Sequence, residues 1–192
     1  VLFGTTYRGG ISDKGVLFKI NTDGSDYSKI LDYNKALNGC TPLGSVTISG
    51  SEIYGMNYLG GTNGIGTIFK INANGTGFSK LLDFAGTTNG SNPYGTLTLS
   101  GSILYGMTAY GGTNNKGTIF RINSDGSGYT KMLDFDGATK GSNPYISSLV
   151  LSGSVLYGTT NSGGINNKGT IFKINIDGTG YTKLLDFTGT TN

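Results

Sequence analysis

Histidine and tryptophan are absent from this chain, cysteine occurs once and proline three times. A single cysteine cannot form a disulfide within the chain, and zinc or haem sites built on histidine or on several cysteines are excluded. Without histidine, neither a Ser-His-Asp nor a Cys-His arrangement can exist. Charged residues make up only 13%, and a net charge of +3 is too small to predict nucleic-acid binding. No apolar run approaches the ~20 residues a membrane helix needs, and no signal peptide is visible. What the chain has in excess is glycine, 35 residues in 192, well above the usual share of about 7%. Leu, Ile, Val and Phe still supply about a quarter of the residues, more than disordered chains carry.

Self-comparison explains the bias. Leu2-Phe3-Gly4-Thr5-Thr6 recurs at Ile53 to Asn57, Leu104 to Thr108 and Leu156 to Thr160, at spacings of 51, 51 and 52 residues. Each copy is followed by a glycine pair (Gly9-Gly10, Gly60-Gly61, Gly111-Gly112, Gly163-Gly164) and then by an apolar segment such as Thr67-Ile68-Phe69-Lys70-Ile71. Every unit closes on Lys-x-Leu-Asp, as at Lys80 to Asp83. Four copies at one period mark a repeat architecture.

The texture within a unit is all strand. Thr96-Leu97-Thr98-Leu99 alternates polar and apolar, Ser100-Gly101-Ser102 supplies a tight turn into Ile103-Leu104-Tyr105, and Asn-x-Asp-Gly or Asn-x-Asn-Gly ends the third strand. Asp-Gly and Asn-Gly suit primed hairpin turns. A fourth strand, such as Tyr129 to Phe135, completes a four-stranded antiparallel meander of about 51 residues. One meander cannot bury both faces, so neighbours must cover it, and radial stacking gives an all-β propeller. A β-solenoid is the alternative, but its rungs are usually shorter and lack repeated tight hairpins. The recurring glycine of strand two (Gly4, Gly55, Gly106, Gly158) predicts close backbone approach.

The units run approximately 1–39, 40–90, 91–141 and 142–192, within one propeller domain or segment of 1–192. The first begins at strand two, so three complete blades and one lacking its first strand are expected. The missing strand predicts self-association or further blades in a longer chain. Tyr145 to Ser152 is one residue longer than Tyr94 to Ser100, which predicts a bulge in that blade's first strand.

The acidic residues sort by repeat position. Asp32, Asp83, Asp134 and Asp186 share one place, Asp23, Asp125 and Asp177 a turn, and only Asp13, Asp26, Glu52 and Asp136 are unique to one unit. Repeated residues usually serve the blade, and the four unique ones form no recognisable pair, so no catalytic residue is assigned and the chain reads as non-enzymatic. Lys19, Lys70, Arg121 and Lys173, like Lys29, Lys80, Lys131 and Lys183, read as strand residues with packed stems. Asn21 to Asp26 resembles a calcium loop, yet no bidentate Glu follows and Asp26 becomes glycine in the other units. A hairpin turn accounts for all four copies, so no metal and no cofactor is expected. Cys40 takes the place of Ser91 and Ser142 and reads as a small inert substitution.

Short turns occupy one end of each blade and long connections the other, so the long-loop end is the candidate binding face. Ser91-Asn92-Pro93-Tyr94 and Ser142-Asn143-Pro144-Tyr145 lie there, with Tyr58 and Tyr110 in the second-to-third connections. Amides that donate and accept, beside flat aromatic rings, suit sugars. Asn92, Tyr94, Asn143, Tyr145, Tyr58 and Tyr110 are therefore the candidate ligand-binding residues. The competing reading is that Asn-Pro sets a turn and Tyr fills the gap between blades.

The Leu-Tyr-Gly-Met-Thr element at 104 to 108, Gly111-Gly112 and Gly117 to Asn123 resemble the GloVer (Gloeo/Verruco) tandem repeats of exported bacterial proteins. The glycine pair is also weakly similar to kelch blades. The resemblance implies a secreted or cell-surface bacterial protein with no assigned catalytic residues. Two functions stay open: an extracellular binding module with glycans as partners, or a structural, assembly or adhesin-spacer module of a surface protein or fibre.

Overall fold

The computed structural model describes residues 1–189, and every regular element among them is a strand. The first blade holds β1 (Leu2–Thr5), β2 (Val16–Ile20) and β3 (Ser28–Asp32). The second holds β4 (Thr47–Ser49), β5 (Glu52–Asn57), β6 (Thr67–Asn72) and β7 (Ser79–Asp83). The third is formed by β8 (Ser91–Pro93), β9 (Thr98–Ser100), β10 (Ile103–Tyr110), β11 (Thr118–Asn123) and β12 (Thr130–Asp134). The fourth holds β13 (Val150–Ser152), β14 (Val155–Thr160), β15 (Thr170–Asn175) and β16 (Thr182–Asp186). These are the expected blades, the first without an innermost strand among the described residues. The last expected unit runs to 192, and residues 190–192 lie outside the described ones.

The two hairpin types have different geometry. Between the inner strands the loop is two residues, Gly50-Ser51, Gly101-Ser102 and Gly153-Ser154, with each glycine near φ +58 to +60° as a II′ turn requires. The Asn-x-Asp-Gly turns are not the two-residue primed turns the sequence suggests. Asn21 N–H donates to Ser25 O and Gly24 N–H to Asn21 O, so three residues intervene and only the glycine is left-handed, at φ +86°. Asp23 Oδ1 accepts from both the N–H and the hydroxyl of Ser25, and Asn74 does the same for Thr76, so the side chain's task is to close its own turn.

Between third and fourth strands every blade carries a bulge at one place, between Leu17 and Phe18, Ile68 and Phe69, Ile119 and Phe120, and Ile171 and Phe172. The extra residue on the fourth strand lets two successive apolar side chains, such as Leu81 and Leu82, pack on one inter-blade cluster. Strict alternation would have sent them to opposite faces.

The innermost strand is in two pieces. In the third blade β8 pairs with the far end of β10 and β9 with its near end, while Tyr94 to Leu97 leaves the sheet. There the backbone bonds run sideways to the next blade. Ser45 N–H donates to Thr96 Oγ1 at 3.1 Å and Thr96 N–H to Ser148 Oγ at 2.9 Å. Thr47 and Thr98 hydroxyls donate to the Leu97 and Leu149 carbonyls, each at 2.5 Å. The inner segments touch so closely that a Cβ on Gly44 would lie 1.8 Å from the Gly95 oxygen. This convergence defines the propeller axis. The extra residue of the fourth blade does not bulge β13, whose register with β14 is continuous. It is taken up one turn earlier, where Ile146, 74% exposed, sits at φ +58°.

Three apolar clusters lie between consecutive blades. At the second junction Tyr54, Met56, Ile68 and Phe84 of one blade meet Leu97, Leu104, Phe120 and Ile122 of the next. The first and third junctions repeat this with residues one period away. In each blade the tip of the third-strand phenylalanine ring lies against the strand-two glycine; a Cβ on Gly106 would come within 2.5 Å of Phe120 Cζ. Gly106→Ala is expected to push that ring out of its packing and cost about 1–3 kcal/mol in urea unfolding. Ile146→Gly, by contrast, removes a branched residue from the left-handed region and is expected to raise stability by about 1 kcal/mol in the same assay.

Candidate functional site

The long-loop end is organised by three equivalent pre-proline residues, Thr41, Asn92 and Asn143, at φ +60°, +54° and +49°. Left-handed backbone before proline is unfavourable, and local bonds hold it. Asn92 N–H donates to Ile65 O at 2.6 Å and Asn143 N–H to Lys116 O at 2.8 Å. Their side chains reach the neighbouring strand end: Asn92 Nδ2 donates to Tyr58 O at 3.2 Å and Asn143 Nδ2 to Ala109 O at 3.0 Å. The amides thus set the turn, and Asn143 Oδ1 also accepts the Ser162 hydroxyl at 3.3 Å.

With the turns fixed, the tyrosines are brought together. Tyr94 and Tyr145, one repeat apart in sequence, have ring centroids 4.3 Å apart at 44°, and Tyr58 meets Tyr94 edge-on at 6.0 Å. All three are half-buried. Burial first, and then the nearby hydroxyls of Tyr145, Tyr110 and Tyr94, push the Tyr58 phenol above its usual 10.0. Burial and Tyr145 do the same for Tyr94. Both therefore stay protonated at neutral pH and can donate.

Tyr110, 38% exposed, stands across a cavity of about 310 Å³ lined by Tyr110, Asn143, Tyr145, Asn161 and Ser162. It lies between the third and fourth blades and no charged side chain lines it. Its equivalent between the first and second blades, about 260 Å³, is lined by Tyr7, Arg8, Asp13, Lys14, Thr41 and Leu59. Asn161 and Ser162 were not among the residues singled out from sequence. They stand at the repeat position of Ala109-Tyr110, and as Tyr110 pairs with Ser91 at the end of β10, Ser162 pairs with Ser142 beside Asn143.

The repeated fourth-strand lysines and aspartates serve the frame. Lys80 Nζ lies 2.8 Å from Asp83 Oδ2, and the pairs Lys29–Asp32, Lys131–Asp134 and Lys183–Asp186 repeat it at 2.5–2.9 Å. Each aspartate also accepts the N–H that follows the glycine pair, from Ile11, Thr62, Thr113 or Ile165 at 3.0–3.2 Å. A Cβ on Gly61 would lie 2.2 Å from Asp83 Oδ1, so the clamp requires glycine there. The unique acid Glu52 accepts from the Tyr54 hydroxyl at 2.5 Å and pairs with Lys70 at 3.0 Å.

Antiparallel meanders joined outer strand to inner strand, packed face to face and stitched at a common axis, define a β-propeller. The chain belongs to the Gloeobacter/Verrucomicrobia repeat family, whose model matches residues 1–153 and again 100–192. No curated protein sequence matches the chain. Among solved structures it is similar to TolB from Acinetobacter baumannii, with a TM-score of 0.61 and 13% identity over 96% of this chain and 41% of that one. A GH74 enzyme of Niastella koreensis gives 0.60 and 17%, covering 92% and 27%. A chain of a nidogen/laminin complex gives 0.57 and 13%, covering 96% and 60%. The chain spans three fifths or less of these structures' lengths, and at such identities the likeness shows the fold alone.

The clamps carry a pH signature. Burial would raise the Asp83 carboxyl, but the bonds from Lys80 and Thr62 outweigh it and hold the group below its ordinary 3.8; at Asp186 the Lys183 bond leads the same lowering. A carboxylate depressed in the folded state contributes stability above its unfolded value and loses it as pH falls through the folded one. Thermal unfolding is therefore expected to move to lower temperature as pH drops below about 4, and Asp83→Asn is expected to flatten that dependence.

Proposed function

We propose that this chain is a non-catalytic recognition module of an exported or cell-surface bacterial protein, and that it binds neutral glycans on the long-loop end of the propeller. The observation that carries the reading is the cavity of about 310 Å³ between the third and fourth blades, which opens beside the Tyr58–Tyr94–Tyr145 cluster. Flat rings offer faces to sugar C–H groups, and Ser162, Asn161 and the phenols supply donors and acceptors for hydroxyls. A concave, mostly preformed site with a few convergent polar groups is the usual form of a small-ligand site. The uncharged lining favours a neutral ligand over an anionic one. The absence of histidine and the use of the repeated aspartates in structural clamps support a binding role rather than catalysis. The resemblance to repeats of exported bacterial proteins supports placement outside the cell.

The structural or spacer alternative is tested by the same experiment. The chain is applied to a glycan array, and an oligosaccharide that binds is titrated against the unmodified protein, Tyr110→Ala and Tyr145→Ala, with circular dichroism checking the fold. Each substitution is expected to weaken binding at least about tenfold, the equivalent of about 1.4 kcal/mol. An array without binders, or affinity unchanged in both variants, overturns the glycan reading.

A further inference from the structure

The three internal junctions place one hydroxyl differently. Each brings three rings together: Tyr33, Phe69 and Phe78 at the first, Phe84, Phe120 and Tyr129 at the second, Phe135, Phe172 and Tyr181 at the third. At the second and third the hydroxyl is on the last ring and donates to a carbonyl in the connection between the two blades, Tyr129 Oη to Asn89 O at 2.8 Å and Tyr181 Oη to Lys140 O at 2.7 Å. At the first junction that place holds Phe78, and the corresponding carbonyl, that of Asn38, accepts from Asn57 Nδ2 at 2.9 Å. The same amide nitrogen donates to Thr67 Oγ1 at 3.1 Å. In the next two blades Thr108 and Thr160 stand in place of Asn57 and bond the hydroxyls of Thr118 and Thr170 at 2.9 Å. Asparagine in place of threonine thus makes good the missing phenol.

The exchange is incomplete. Among the described residues two buried side-chain polar atoms have no hydrogen-bond partner, and both belong to it: the Tyr33 hydroxyl and Asn57 Oδ1. Tyr33 carries its hydroxyl on the first ring of the three, where Phe84 and Phe135 have none. Both residues are 0% exposed, and burial alone pushes the Tyr33 phenol up. Tyr33 packs among Leu17 of the first blade and Ile53, Phe69 and Ile71 of the second, inside the molecule. A buried donor or acceptor left unbonded costs the full desolvation of that group. The penalty acts only while the junction is closed, because parting lets water bond both atoms.

We propose that the junction between the first and second blades is a seam that parts locally while the second and third junctions stay closed, and that the Tyr33 hydroxyl and Asn57 Oδ1 set how often it opens. The chain carries a reporter there. Cys40, 2% exposed, lies in the connection between these blades, where it exchanges backbone bonds with Leu59, and the next residue, Thr41, donates its N–H across the junction to Lys14 O at 3.2 Å. Parting breaks that bond, uncovers the thiol and frees the segment from Cys40 to Leu43 at the long-loop end. The seam goes beyond the glycan-binding reading and stands or falls without it.

The test measures labelling of Cys40 by a thiol reagent under conditions where the rate follows the fraction of open molecules. Tyr33→Phe, which installs the residue of the other junctions, is expected to slow labelling about tenfold, the equivalent of about 1.4 kcal/mol. Hydrogen exchange at the Asn143 amide, which makes the matching bond to Lys116 O across the third junction, is expected to stay unchanged. Phe78→Tyr alone is expected to speed labelling, because its hydroxyl competes with the Asn57 amide for the Asn38 carbonyl. Asn57→Thr alone is expected to speed it as well, because that carbonyl loses its donor. Together they install the arrangement of the second junction and are expected to slow labelling, a reversal of sign that independent sites cannot give. Every variant keeps the same first blade, so the differences report these groups alone. Labelling unaffected by Tyr33→Phe overturns the proposal. So do additive effects of Phe78→Tyr and Asn57→Thr, or an equal slowing at Asn143, which would mean that the whole propeller opens at once.

Discussion

The contact on which the propeller depends is that of one phenylalanine with one glycine. In every blade the third-strand ring (Phe18, Phe69, Phe120, Phe172) lies against the strand-two backbone at Gly4, Gly55, Gly106 or Gly158, where a Cβ would fall within 2.5–2.7 Å of it. The absence of a side chain lets the ring lie low enough in its own sheet for the preceding blade's ring to meet it edge-on. Removing an aromatic ring from water on both sides supplies a large share of the apolar burial available to a sheet this small. Because the other side of each ring is covered only by a neighbouring blade, a single blade cannot complete a core of its own.

A second constraint acts at the axis. There the chain gives up part of its own sheet, and Tyr94 to Leu97 exchange bonds with adjacent blades rather than within one. Threonine and serine hydroxyls take the partners that a regular ladder would have provided, so few polar groups there are left unbonded. The same departure from the sheet turns Tyr94 and Tyr145 toward each other. The aromatic cluster at the long-loop end is thus a by-product of how the inner segments pack.

Much of the fold was legible because it rests on local chemistry repeated four times. The strand-two glycine, the Gly-Ser turns, the Asn-x-Asp-Gly turns and the Lys-x-Leu-Asp ending each have a local reason, and agreement among four copies makes each reason visible. The bulge before Phe69 and its equivalents was not legible. It turns both of two adjacent apolar residues, such as Leu81 and Leu82, onto one inter-blade cluster, and that is a property of the interface. The left-handed Ile146 was misread as a strand bulge for a similar cause: the extra residue is absorbed where the axis leaves room.

At the candidate site the division falls between residue types. That Asn92 and Asn143 would set turns, and that tyrosines would gather at the long-loop end, follows from residue type and position in the repeat. Their separations follow from packing at the axis. So does the pairing of Asn161 and Ser162 with Tyr110 across one cavity, because no local rule brings the end of one blade's second strand against the preceding blade's. The sequence by itself determined the period, the strand order and the turns, since these are decided within a few residues by backbone freedom and side-chain bonding. Only the tertiary structure decided which faces are covered, which rings meet and where a cavity is left, because those depend on contacts between residues a full repeat apart.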